Sequence, residues 1–205
     1  MALIDCSIVT GSEQEDKTLE AIEALHNRVS SPRLTGSVSQ EHLDVILKAG
    51  LRAPDHAQLK PWRFLTVEGE ALAQLGELFA RALPADASPE ALTKARAMPL
   101  RAPLLVVVIA RVQASPKVPE QEQVLAAGCA AHSILLAAHA QGIGAVWRTG
   151  DMAYNAQVAA GLGLSADEQV IAYLYLGTPE RELRAVPQVQ VSDFVRAWPA
   201  PDSAE

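Results

Sequence analysis

The chain has 205 residues, of which 49% are hydrophobic and 20% charged, and its formal net charge is -7. That length sustains one domain with its own core, and the composition excludes a mainly disordered chain. The acidic balance, spread without a long run of one sign, gives no electrostatic attraction to nucleic acid or to an anionic membrane, so neither is expected as a partner.

Residues 1–16 are acidic and turn-rich, with no helical or strand period, and read as a mobile extension ahead of a single domain over 17–205. The first residues carry no basic lead-in to an apolar run, so no secretory signal is expected and a cytoplasmic location follows. From Lys17, apolar residues at Leu19, Ile22, Leu25 and Val29 recur at helical spacing up to Ser30-Ser31-Pro32, where the proline disfavours further helix. Ser39 is an N-cap for a second helix with Leu43, Ile46 and Leu47 on its apolar stripe, stopping by Pro54. Arg63 to Val67 alternates as a strand, Leu72 to Leu83 reads as a helix, and Ala91 to Ala97 as a short one.

Leu104 to Ala110 is a continuous, mostly β-branched apolar run, which suits a central strand covered on both faces. Val124 to Gln141 is apolar around most of its circumference and is closed by Gly142, the pattern of a buried helix. It carries His132 and His139, and no stretch free of charges and loop residues reaches the length of a membrane span. Strands at Ile143 to Trp147 and Val170 to Leu176 flank a short helix at Asn155 to Gly161, and a proline-punctuated tail follows from Thr178. Helices and strands mix without regular alternation, which predicts an α+β sandwich.

Several catalytic signatures are missing, including the Gly-x-Ser-x-Gly elbow, the phosphate loop and the His-Glu-x-x-His helix. Gly142-Ile-Gly144 follows a helix and precedes a strand, the reverse of a dinucleotide fingerprint. No nearby carboxylate or cysteine completes a plausible ligand set with His132 and His139, and Cys6 and Cys129 are far apart, so neither a metal site nor a disulfide framework is expected. Cys129 reads as a packing residue, and the two strand tyrosines, Tyr173 and Tyr175, read as packing or bridging residues. Three clusters do carry chemistry: Arg28-Val29-Ser30, Arg52-Ala53-Pro54-Asp55-His56, and Trp147-Arg148-Thr149-Gly150. Each sets an arginine among turn-forming residues at the end of an element. Guanidinium forks with hydroxyl and free backbone donors suit a terminal phosphate, while an arginine at a helix end also complements the helix dipole.

The order of several motifs then resembles the nitroreductase family, and within it the YdjA-like subgroup. They are Leu51-Arg-Ala-Pro-Asp-His56 with Pro61-Trp62, Lys94-Ala-Arg96 before Arg101-Ala-Pro-Leu104, Ala127-Gly-Cys129, Gln141-Gly142, Trp147-Arg148, and Leu174-Tyr-Leu-Gly-Thr-Pro179. The resemblance covers roughly Lys17 to Pro179.

It implies an α/β sandwich with a central, mainly antiparallel sheet flanked by helices, and a homodimer with FMN at the subunit interface. The implied activity is electron transfer from NAD(P)H to nitroaromatic, quinone or similar small acceptors by a ping-pong course. Carried over by position, Arg28 and Ser30 with Val29 between them would hold the FMN phosphate. Arg52 and His56 would meet the flavin from the loop after the second helix, and Trp147, Arg148 and Thr149 would line it from the end of the later strand. No side-chain nucleophile is expected, and Arg52, His56 and Lys60 all stand open as the group that favours reduced flavin. Two positions depart from the subgroup: Val29 replaces a second arginine and Lys60 a glutamine, with Arg33 or Arg148 available to compensate at the phosphate. A related flavin oxidoreductase with another acceptor, or a flavin binder without turnover, are the alternative readings.

Overall fold

The computed structural model describes residues 21–198. The expected extension over 1–16, the start of the first helix and residues 199–205 lie outside the described residues.

Helix α1 covers 21–27. Then come β1 (Leu34–Thr35), α2 (Gln40–Gly50), β2 (Trp62–Glu68), α3 (Glu70–Arg81), α4 (Pro89–Ala97), β3 (Leu104–Arg111), α5 (Glu120–Ala140), β4 (Gly144–Arg148), α6 (Ala156–Gly161) and β5 (Glu168–Pro179). The helix starts follow from local chemistry. Ser39 and Ser88 accept from the backbone N–H three residues on, at 3.3 and 3.2 Å, and Asn155 accepts from two, so each supplies an oxygen to the orphan donors of a first turn. Gly142, at φ 73°, supplies the left-handed residue that lets the chain turn from α5 into β4.

The five strands form one sheet, and every pairing in it is antiparallel. β3 lies between β2 and β5, β4 runs along β5, and β1 pairs with the end of β5 at Leu34 and Pro179. β3 is buried along its length to Ala110, as its unbroken apolar run predicts. Its alternate residues divide between two cores. Leu105, Val107 and Ile109 pack with Leu72, Leu75 and Phe79 of α3, whereas Leu104, Val106 and Val108 pack with Ile46 of α2 and Ile134 of α5. Period-two side-chain alternation thus makes three layers, helices on both faces of a sheet.

Helix α5 begins four residues ahead of the predicted start, and β5 extends past the predicted run at both ends. The β1 segment, read as loop, becomes a strand because β5 offers it two ladder partners. By length and composition α5 could cross a membrane, yet 44% of that apolar stretch is buried inside this fold. Its other side is uncovered: Leu125 is 60% exposed, and Cys129 and His132, four and seven residues on, are exposed too. Cys129 therefore does not pack in the core of the chain, contrary to the expectation from its apolar neighbours.

Candidate functional site

Arg28 and Val29 leave α1 and line a cavity of about 80 Å³ with Leu135, His139 and the Gly142–Ala145 turn. The segment is pinned there by the Ser31 N–H, which donates to Ala145 O at 2.9 Å. Ser30 is exposed beside it. Val29 contributes only apolar surface to this cavity. Neither Arg33 nor Arg148 lines it, whereas His139 does.

Arg52 follows α2 by two residues, where helix-like turns continue: its N–H donates to Ala49 O at 3.0 Å. Its side chain borders an apolar groove of about 540 Å³ with Leu25 of α1 and Ser133, Leu136, Ala137 and Ala140 of α5.

His56 sits on the loop that joins α2 to β2. Its Nδ1 lies 2.7 Å from Oε2 of Glu122, in the first turn of α5. The loop has an unusual backbone: Ala57, Gln58 and Lys60 hold φ values of 60°, 55° and 50°, a region that non-glycine residues rarely occupy. It is tied down by the Lys60 N–H, which donates to Asp55 Oδ2 at 2.6 Å, and by Gln113 Nε2, which donates to Leu59 O at 2.8 Å.

Trp147, Arg148 and Thr149 close β4. Trp147 is 36% exposed. Strand alternation turns Arg148 to the opposite face, where its guanidinium carbon stands 5.9 Å from the centre of the Tyr175 ring. Arg148 Nε is buried and has no hydrogen-bond partner among the described residues. Burial pushes the Tyr175 phenol above its usual range, and the charges of Arg101 and Arg148 oppose that shift. Tyr173 is also pushed up by burial, and its hydroxyl donates to Met152 O at 3.3 Å.

Within one chain Arg28 and Arg52 both border the C-terminal half of α5, whereas His56 lies at its start. Arg28 shares a cavity with His139 near the end of α5, and His56 pairs with Glu122 at its start. From 122 to 139 a helix rises about 25 Å. A site that used both Arg28 and His56 would draw them from two copies of the chain. Three neighbours escaped the sequence reading: Glu122 and Gln113, which hold the His56 loop from 66 and 54 residues away, and Tyr175, which reads from sequence as a packing or bridging residue with no assigned role. Nothing local in the sequence links such distant partners.

The nitroreductase family model matches residues 34–178. The chain is 38% identical over 177 residues to the Escherichia coli (strain K12) protein named "Putative NAD(P)H nitroreductase YdjA", covering 85% of this chain and 96% of that one. Among solved structures, a nitroreductase-like family protein from Bacillus cereus superposes with a TM-score of 0.78 at 19% identity, covering 86% of this chain and 95% of the other. A nitroreductase with bound FMN from Bacteroides fragilis gives a TM-score of 0.67 at 24% identity, covering 87% and 98%. The fold is the nitroreductase fold, and the chain belongs to the nitroreductase family.

Proposed function

We propose that this protein is an FMN-dependent oxidoreductase, a homodimer that passes electrons from NAD(P)H to small acceptors such as nitroaromatics or quinones. One observation carries the reading: the Nε of Arg148, buried and without a partner among the described residues. An orphaned buried donor costs about 1–3 kcal/mol, so a donor with no partner among the described residues, at a strand end beside Trp147 and Thr149, suits an acceptor on a bound ligand. The rest of the donor set fits a phosphate-bearing ring. Arg28 faces a cavity edged by the Gly142–Ala145 turn, and with the Ser30 hydroxyl it holds the phosphate by charge-assisted bonds. Trp147 and Thr149 would border the ring, Arg148 would meet the ligand through its Nε from the other face of β4, Arg52 would reach it from the groove along the C-terminal half of α5, and His56 would come from the second subunit.

The distance along α5 between the Arg28 and His56 ends supports two copies per site. So do the uncovered apolar side of α5 and the tail, where Val191, Phe194 and Trp198 are 73%, 78% and 94% exposed. Apolar surface of this extent belongs against a partner. The protein bound to FMN in the Bacteroides fragilis structure has the same fold, and the Escherichia coli relative's name specifies NAD(P)H. When bound, FMN supplies hydride acceptance and return. The chain's own groups would bind the phosphate and orient the ring, and the proposed course is ping-pong, with donor and acceptor using the site in turn. The cytoplasm, where NAD(P)H is abundant, is the proposed place of action.

The test is direct. Purified protein should show a flavin visible spectrum, FMN should raise its melting temperature, and the protein should oxidise NADH or NADPH when a quinone or nitroaromatic is supplied. A protein that stays colourless with FMN, with no shift in melting temperature, would sink the proposal.

A further inference from the structure

The loop that carries His56 is gripped by two consecutive residues of α5. Glu122 meets the imidazole at Nδ1, 2.7 Å away. Gln123, only 1% exposed, donates from Nε2 to Gln113 O and accepts at Oε1 from Gln113 N, both at 2.8 Å. Gln113 in turn donates to Leu59 O. The backbone between, with three non-glycine residues in the left-handed region, is a costly conformation. Such backbone persists where surrounding contacts over-determine it, and it concentrates where a side chain must be aimed.

The ion pair itself adds little stability, because His56 and Glu122 side chains are 55% and 47% exposed. Its consequence is chemical. A carboxylate can only accept, so a neutral His56 bonded to Glu122 through Nδ1 must carry its proton there. Nε2 then presents a bare lone pair away from α5.

We propose that Glu122 is a positioning residue, holding His56 in the Nδ1–H form so that Nε2 accepts a hydrogen bond from a donor group on the ligand. For a flavin the donors of that class are a ribityl hydroxyl or the ring N–H. The choice of ligand rests on the function proposed above, whereas the tautomer does not. Asp55 is the other acidic group at the loop, and its carboxylate is engaged by the Lys60 N–H.

Long-range nitrogen–proton correlation spectra of the full-length chain, taken without FMN at a pH where the ring is neutral, read the tautomer. The expected result is His56 in the Nδ1–H form, a shift to the Nε2–H form in Glu122→Ala, and retention of the Nδ1–H form in Glu122→Gln, whose carbonyl still accepts. In FMN titrations Glu122→Ala weakens binding about twofold to tenfold and adds no further loss in a His56→Ala background. A wild-type ring in the Nε2–H form, or losses that add in the double variant, would overturn the proposal. Failure to bind FMN at all would overturn the proposed function while the tautomer result stood.

Discussion

Arg63 on β2 meets both carboxylate oxygens of Glu168 at the start of β5, Nε to Oε1 at 2.6 Å and Nη2 to Oε2 at 2.7 Å, across the end of the strand between them. The Glu168 side chain is 5% exposed. The bond from Arg63 holds its carboxyl down at about 2 against an ordinary 4.5, with burial opposing. A depressed carboxyl stabilises the fold fully above its unfolded value and loses that contribution as pH falls from 4.5 toward 2. Charge-assisted bonds of this kind contribute about 1–3 kcal/mol. Urea unfolding across that pH window should show the wild type losing stability by this amount. Glu168→Gln should start lower at neutral pH and lose less within the window; an identical slope in both proteins would refute the assignment.

The packing of α2 on α5 depends on the absence of a side chain at Gly50. A Cβ there would stand 2.8 Å from Ile134 Cγ1 and 3.2 Å from the Phe64 ring. Ile134 is fully buried, so it cannot swing clear. Gly50→Ala should cost about 1–3 kcal/mol, read as a lowered melting temperature. Ile134→Ala, which removes Cγ1, should cost less in the Gly50→Ala background than in the wild type, since neighbouring substitutions that share one space do not add.

The residues that announce this fold in the sequence are those whose effect is local. Ser39 caps α2 because its oxygen reaches a donor three residues on, and Leu104 to Ala110 form the central strand because a run apolar on both sides needs cover on both sides. The pairing of β1 with β5 was not legible, since two residues carry no period and their strand state comes from a partner more than 140 residues away. The site divides in the same way. Its arginines stand out as clusters at element ends, but the left-handed backbone at Ala57, Gln58 and Lys60 has no glycine to signal it. Arg148's turn onto Tyr175 depends on strand register, which composition does not reveal.

If Arg28 holds the FMN phosphate, Arg28→Ala should weaken FMN about tenfold to a hundred-and-fiftyfold, the equivalent of a lost charge-assisted bond. Riboflavin, which lacks the phosphate, should bind both proteins alike. Fluorescence titration with the two ligands separates a phosphate contact from a general disturbance of the cavity. Equal losses for both ligands would assign Arg28 to structure instead.

The uncovered face of α5 makes a separate prediction about assembly. Leu125 is 60% exposed in the chain, and in a dimer that buries this face a carboxylate placed there would be desolvated without a partner. Leu125→Glu should therefore yield monomer in sedimentation velocity while circular dichroism stays that of the folded chain. Because Arg28 and His56 sit at opposite ends of α5, the monomer should also lose FMN. A dimer that survives Leu125→Glu would place the interface elsewhere.

Arg148 should behave oppositely with and without the cofactor. Its buried Nε lacks a partner among the described residues, a cost of about 1–3 kcal/mol, and the guanidinium recovers about 0.5–2 kcal/mol from the Tyr175 ring. Arg148→Met keeps the stem, drops the orphaned donor and still packs a polarisable group on the aromatic ring. Without FMN the variant should be at least as stable as the wild type in urea unfolding. With FMN it should gain less, because the acceptor that satisfies Nε in the wild type has nothing to meet. A variant that is less stable without FMN, yet binds FMN as tightly as before, would make Arg148 a structural residue and remove the observation on which the flavin assignment leans most.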